Sequence, residues 1–344
     1  MSSVTLFHNF AAMAAHIPPN ASFPENAGRL DGILTALKDS GVWDVCGHVE
    51  ITTPLSRDAF IEEYGQKVVR GWEYEAARGK AKPVWGRTCG DIYWSSGTLG
   101  AVGIAAACSI AAVEHALRTG DHGFALVRPP GHHCFDLPAG FCIANNVVLA
   151  AKAALRAGKR VAILDWDYHF GDGTALALKD NPNVMFCSIH SERSRGGGLT
   201  YPVHKLKGDE LRRRTDGRMF NIQWELDDAD DAALCYALER VIVPAFSKFA
   251  PDVVLISAGY DALRGDDLAG MELTPVVFGI AAAALKKIGV PIVAVLEGGY
   301  NPTLLGAGVV ETVRGLLGTV DAGMATDVSP DHAAVVDRLA ESLL

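Results

Sequence analysis

Two adjacent histidines, His132 and His133, follow a rigid Pro-Pro step in the stretch "RPPGHHC". One imidazole in a loop is ordinary, but two side by side after an apolar run suit a catalytic base and a partner that tunes it. A second stretch, "DWDYHFGDG", supplies Asp165, Asp167, His169 and Asp172, and two more runs lead into Asp261 and Tyr300. One histidine with two carboxylates suits a divalent metal, and three protein ligands with an open position describe a catalytic zinc rather than a structural one. Asp167, His169 and Asp261 make such a set. The competing reading is that these acids cap helices or hold a cation without chemistry, and for an isolated D-x-D-x-H it would weigh as much. The further presence of the histidine pair and of a tyrosine after Gly-Gly favours chemistry.

A fold must gather these scattered groups. Short β-branched runs at 124–127, 160–167, 184–190, 219–226, 252–259 and 291–299 alternate with Ala/Leu-rich segments near 98–118, 144–157, 230–249, 274–288 and 303–317. Near-continuous apolar strands alternating with helices predict an α/β fold, a central parallel β-sheet flanked by helices on both faces. Ligands bind such sheets beyond the carboxyl ends of the strands. There "GFALV" leads to His132 and His133, "VAIL" to Asp165 through Asp172, "VVLISAG" to Asp261, and "IVAVLEGG" to Tyr300. Four strands thus deliver ionisable groups to one edge. Asp165, Asp167 and His169 would share a face if the chain there stayed extended. No repeat, low-complexity linker or composition break interrupts residues 1–344, which predicts a single domain. The polar, glycine-rich segment 191–218 reads as a long loop near the sheet's edge. Its Arg212, Arg213 and Arg214 read as a solvated face.

Composition narrows the partners. With 344 residues, 49% of them hydrophobic, the chain can bury a large core. A net charge of -9, with 31 Lys and Arg dispersed along the chain, argues against a nucleic-acid footprint and leaves room for a small or cationic substrate. Seven cysteines without a C-x-x-C pair predict reduced thiols and a cytoplasmic protein. The opening residues lack the basic region of a signal peptide. The run "LGAVGIAAACSIAAVEHAL" is interrupted by Ser109, Glu114 and His115 and reads as a buried core helix, so no membrane partner is expected. A homo-oligomer stays open.

The stretches "FPENAGRL", "RPPGHHC", "GFCIANN", "AILDWDYHFGDGT", "SIH", "SAGYDA" and "LEGGYN" stand in the order of a known family. The chain resembles the zinc-dependent histone deacetylases, a family that also holds class II-like bacterial amidohydrolases and acetylpolyamine amidohydrolases and has the arginase/deacetylase fold. The resemblance covers the chain from about residue 24 to about 310. It implies one Zn2+ on Asp167, His169 and Asp261, with Tyr300 polarising the acetyl carbonyl. It implies His133 as general base oriented by Asp172, and His132 as its neighbour paired with Asp165. Gly140 and Phe141 match the wall of the channel for the acyl-lysine stem. A structural K+ is implied near Asp165, with backbone around Asp167, His169, Ser188 and Ile189.

Several positions depart from the family. Phe170 stands where a second histidine is usual, next to the ligand rather than in its place, and Tyr260 replaces a commoner Phe as a packing residue. The loop after His190 lacks the usual aromatic pair, and Tyr201 in "LTYP" is the candidate for the second channel wall. Polyamine-specific members carry a glutamate where "RGDDLAGM" has Leu268, so an acetyl-lysine type substrate is expected. Against this, the acidic chain and Asp91, matching a rim acid that grips substrate amides, could draw an acetylpolyamine; a turn cap is the plain alternative for Asp91. Two other readings are a binuclear arginase-like hydrolase, which needs further metal-edge ligands, and a pseudoenzyme that binds metal or acyl groups without turnover.

Overall fold

The computed structural model describes residues 3–87, 89–193, 211, 214–226, 228–321, 323 and 327–344. Eight parallel strands form one sheet: β1 (Val4–His8), β2 (Gly47–Glu50), β5 (His122–Ala125), β6 (Val161–Asp165), β7 (Val184–Arg193), β8 (Met219–Leu226), β9 (Val253–Ala258) and β10 (Ile292–Leu296). A small antiparallel pair, β3 (Val84–Trp85) and β4 (Tyr93–Trp94), stands apart from it. The spatial order is β2-β1-β5-β10-β9-β6-β7-β8. The strands expected to carry the chemistry, β5, β10, β9 and β6, are therefore consecutive neighbours at the centre.

Every residue of β6, β9 and β10 is buried, which is why these segments read as unbroken apolar runs. Burying each of Val253, Val254, Leu255 and Ile256 contributes about 1.5–3 kcal/mol. Helices cover both faces. Thr98–Thr119 packs on Asn146–Arg156, while Pro302–Leu317 packs against both Gly28–Asp39 and Pro275–Leu285. Thr98–Thr119 is long and apolar enough to cross a bilayer by length and composition, yet 61% of its apolar window is buried inside the protein, as a core helix requires.

Three expectations are corrected. The sheet begins earlier than the apolar runs suggest, because β1 and the largely exposed β2 form one edge and are too short to stand out in composition. The segment 230–249 is not one regular helix: a π turn at Leu238–Ile242 separates Asp231–Ala237 from Val243–Phe249. Pro244 accounts for this, lacking the N–H that an unbroken helix would direct at the preceding turn. Finally, β7 continues through Arg193, so the segment starting at 191 opens as strand paired with β8. Arg214 is partly buried and pairs with Asp216, whereas Arg212 and Arg213 lie outside the described residues.

A buried ionic cluster ties the amino-terminal third to the central strands. Glu25 accepts from Arg128 Nε at 2.8 Å, from Arg128 Nη2 at 3.1 Å and from Tyr93 Oη at 2.6 Å, and Arg29 Nη1 adds a contact at 3.3 Å. Burial opposes ionisation of Glu25, but Arg128, His16 and Arg29 outweigh it and hold the carboxyl at about 2. His16 stacks on Tyr93 at 4.1 Å, and burial, helped by Arg128, pulls its imidazole down to about 3. The unfolded imidazole titrates near 6.5, so below that pH the unfolded chain binds a proton that the native His16 refuses. Stability is therefore present above about pH 6.5 and lost as pH falls, by roughly 2 kcal/mol from this residue at pH 5. Urea midpoints at pH 7 and pH 5 should show the drop, and His16→Gln should shrink it.

Candidate active site

The loop after β5 places His132 and His133 with ring centroids 4.0 Å apart. Each is paired with a different carboxylate. His132 Nδ1 lies 3.1 Å from Asp165 Oδ2 at the end of β6, and His133 Nδ1 lies 2.7 Å from Asp172 Oδ1 in the first turn of Asp172–Leu178. Pairing Nδ1 of His133 with a carboxylate fixes the tautomer and orientation of the ring. Burial lowers the pKa of His132, yet Asp167 and Asp165 outweigh it and push the value well above the ordinary one. His132 thus answers the negative charge of the carboxylates around it.

Past β6 the chain does not stay extended, which corrects the shared-face expectation. Asp165 Oδ1 accepts from Asp167 N at 3.1 Å, and Asp167 Oδ1 accepts from His169 N at 2.9 Å. Two successive aspartate-capped turns curl the segment and bring alternate residues inward. Asp261, just past β9, accepts through Oδ1 from Tyr168 N at 2.9 Å. The ligand atoms of Asp167, His169 and Asp261 lie within 4.8 Å of one another.

Their electrostatics fit a cation. His169 Nδ1 stands 3.1 Å from Asp167 Oδ1 and 3.0 Å from Asp261 Oδ2, so a single ring nitrogen faces two buried carboxylates. Among the described residues Asp261 Oδ2 has no well-aligned hydrogen bond. Burial, reinforced by Asp167, pushes the Asp261 carboxyl up to about 6. Burial lowers the pKa of His169, but Asp261 and Asp167 raise it to about 9. Such proton affinity marks surplus negative charge, and an imidazole with two carboxylates is a donor set that zinc accepts.

β10 ends at Leu296 and delivers Glu297, Gly298, Gly299 and Tyr300 to the same place. Gly298 N donates to Asp167 Oδ2 at 2.9 Å. A Cβ at Gly298 would stand 2.5 Å from Asp261 Oδ2 and 2.6 Å from Asp167 Oδ2. Gly298→Ala is accordingly expected to displace both carboxylates and lower metal affinity at least about tenfold, a loss checked by zinc retained on dialysis against a chelator. Gly299, at φ 116°, turns the chain so that Tyr300 follows.

Tyr300 is held from several sides. Its backbone N–H donates to Asp266 Oδ2 at 2.7 Å, Arg29 Nε donates to Gly299 O at 2.7 Å, and the Arg29 guanidinium lies 5.2 Å from the Tyr300 ring. Burial, with Asp261 adding to it, pushes the phenol pKa well above 10, so Tyr300 remains an O–H donor. Arg29, Asp266 and Glu297 were missed as site residues by sequence reasoning. Their signal lay inside quoted motifs, where charge alone does not reveal a backbone partner. Glu297 Oε2 accepts from Gly131 N at 2.6 Å and His132 N at 3.1 Å, and burial raises its carboxyl to about 7.

Residues 23–316 match the histone deacetylase domain. The chain belongs to the histone deacetylase family. It is similar to histone deacetylase 15 of Arabidopsis thaliana, with 32% identity over 299 residues, covering 86% of this chain and 53% of that protein. It is 38% identical over 208 residues to an uncharacterized Synechocystis protein, covering 60% of this chain and 65% of that one. The crystal structure of the HDA15 HD domain superposes with a TM-score of 0.85 at 28% identity, covering 99% of this chain and 94% of that domain. The chain spans about half the length of several curated relatives it matches.

In this histone deacetylase fold the remaining positions fall as follows. Gly140 and Phe141 adopt positive φ, 52° and 66°, which sets the Phe141 ring 5.5 Å from Tyr300 and 5.1 Å from Phe23. Phe23, which sequence reasoning did not single out, also meets Trp85 at 4.9 Å. Leu268 is 48% exposed, consistent with a rim position. Asp91 accepts a 2.7 Å contact from the Cys89 thiol through Oδ1. Phe170 is buried 4.9 Å from His190, and the Tyr260 hydroxyl lies 2.8 Å from Thr312 Oγ1, so both departures serve packing. Ser188 pairs in register with Asp165, with Ile189 beside it on β7. Tyr201 lies outside the described residues.

Proposed function

We propose that this chain is a single-domain, zinc-dependent amidohydrolase that removes acetyl or a related acyl group from an amine, with acetyl-lysine as the preferred substrate class. The observation that carries this reading is the set of buried Asp167 and Asp261 with part-buried His169, beside the His133–Asp172 pair and Tyr300. Zinc held by that set would supply Lewis acidity toward the amide carbonyl and toward the attacking water.

The chain's own groups account for the rest. His133, its Nδ1 committed to Asp172, takes a proton at Nε2 and returns it to the leaving amine. Asp172 fixes the tautomer and favours the imidazolium that forms. Tyr300, kept protonated, donates to the carbonyl oxygen as negative charge develops there. His132 and Asp165 set the charge beside the base. Phe141 supplies an apolar wall next to Tyr300, suited to the methylene stem of an acyl-lysine. A structural K+ would lie beside Asp165, drawing on backbone around Asp167, His169, Ser188 and Ile189.

Leu268, exposed and uncharged, supports acetyl-lysine over a polyamine, whose second ammonium would gain from an acid at that position. The net charge of -9 favours the acetylpolyamine alternative. Acetate release from an acetyl-lysine peptide and from N-acetylputrescine, compared as kcat/KM, separates them. Preference for the peptide is expected, and preference for acetylputrescine would make the chain a polyamine enzyme. Stoichiometric zinc without acetate release from either substrate would leave a metal-binding pseudoenzyme.

A further inference from the structure

Glu297 is fully buried and only half satisfied. Its Oε2 accepts from Gly131 N and His132 N, while Oε1 has no hydrogen-bond partner among the described residues. Next to it lies Cys142, also fully buried, whose thiol contacts Gly140 O at 3.2 Å. One ligand atom from each of His132, Cys142 and Glu297 lies within 4.8 Å of the other two. Among the described residues this is the second group with metal-ligating spacing, and it shares no member with Asp167, His169 and Asp261. The two groups adjoin, since His132 Nε2 is 3.7 Å from Asp167 Oδ1.

We propose that His132, Cys142 and Glu297 form a second, inhibitory site for a divalent cation of the zinc class. An imidazole, a thiolate and a carboxylate balance a charge of two and match the borderline-soft preference of Zn2+ and Co2+. Mg2+ and Ca2+ are disfavoured, because they take six or more oxygen ligands. The unpartnered Oε1 is the ligand oxygen, and Oε2 keeps its backbone bonds. On binding, the Cys142 thiol and His132 Nε2 each release a proton to solvent, Glu297 binds as the carboxylate, and the Cys142 sulfur turns from Gly140 O to the metal; no redox change occurs. Binding then fixes His132, whose ring lies 4.0 Å from that of His133, on a second metal, which slows turnover. The inhibitory consequence rests on the deacetylase reading, whereas the site itself does not.

Sulfur makes the site visible. The first ligand set offers only oxygen and nitrogen, so a thiolate-to-Co2+ charge-transfer band in the near ultraviolet reports the second. The experiment starts from protein loaded with one equivalent of zinc, in a Cys46→Ser, Cys89→Ser background that removes the two half-buried thiols. Added Co2+ should bind as one further equivalent with that band. Cys142→Ser and Cys142→Ala should each abolish both, and should raise the Zn2+ concentration that half-inhibits acetate release by about tenfold or more. A band that persists without Cys142, or metal content that stays at one equivalent when Cys142 is present, overturns the proposal. Loss of the band in the Cys142 variants, with acetate release absent throughout, would uphold the site and overturn the deacetylase reading instead.

Discussion

Asp261→Asn is expected to yield a folded protein that no longer retains metal, with binding at least about 10²-fold weaker and acetate release falling with zinc occupancy. The amide is isosteric, and its oxygen can still accept the 2.9 Å bond from Tyr168 N, so the turn after β9 keeps its shape. What disappears is the negative charge beside His169 Nδ1. Zinc per chain after dialysis, read alongside the thermal midpoint, tests this directly. Stoichiometric zinc and normal turnover in the variant would mean that the cation is held elsewhere.

Tyr300→Phe should act on the opposite side of the same chemistry. The phenyl ring keeps its neighbours, with Phe141 at 5.5 Å and Arg29 at 5.2 Å, and the backbone keeps its bond to Asp266. Zinc content and KM should therefore change little. Only the O–H donor is lost, and removing one oxyanion donor costs about 3–4 kcal/mol, or roughly 10²- to 10³-fold in kcat. Because burial holds the phenol pKa well above 10, a pH profile of the unmodified protein should show no Tyr300 titration near neutrality. Unchanged kcat in the variant would remove Tyr300 from the mechanism.

These two residues were legible before any fold was known, and the reason is local. Asp261 and Tyr300 stand just past apolar runs that are buried on both faces, so a polar group there marks a strand end, where parallel sheets bind ligands. The same holds for the His132–His133 pair and for Asp165, and motif order reached the family from there. The edge strands β1 and β2 escaped because they are short and β2 is largely exposed, which leaves little apolar signal.

The sequence by itself thus determined which groups were available: two adjacent imidazoles, an Asp/His/Asp set and a tyrosine, each placed just past an apolar run. The tertiary structure decided how they meet. The order β5-β10-β9-β6 makes neighbours of segments far apart in the chain. It lets Arg29 bind Gly299 O, Asp266 hold Tyr300 N, and Glu297 cradle Gly131 and His132. Side-chain-to-backbone bonds of this kind leave no pattern in sequence, because any residue supplies the backbone partner and only packing brings it within reach.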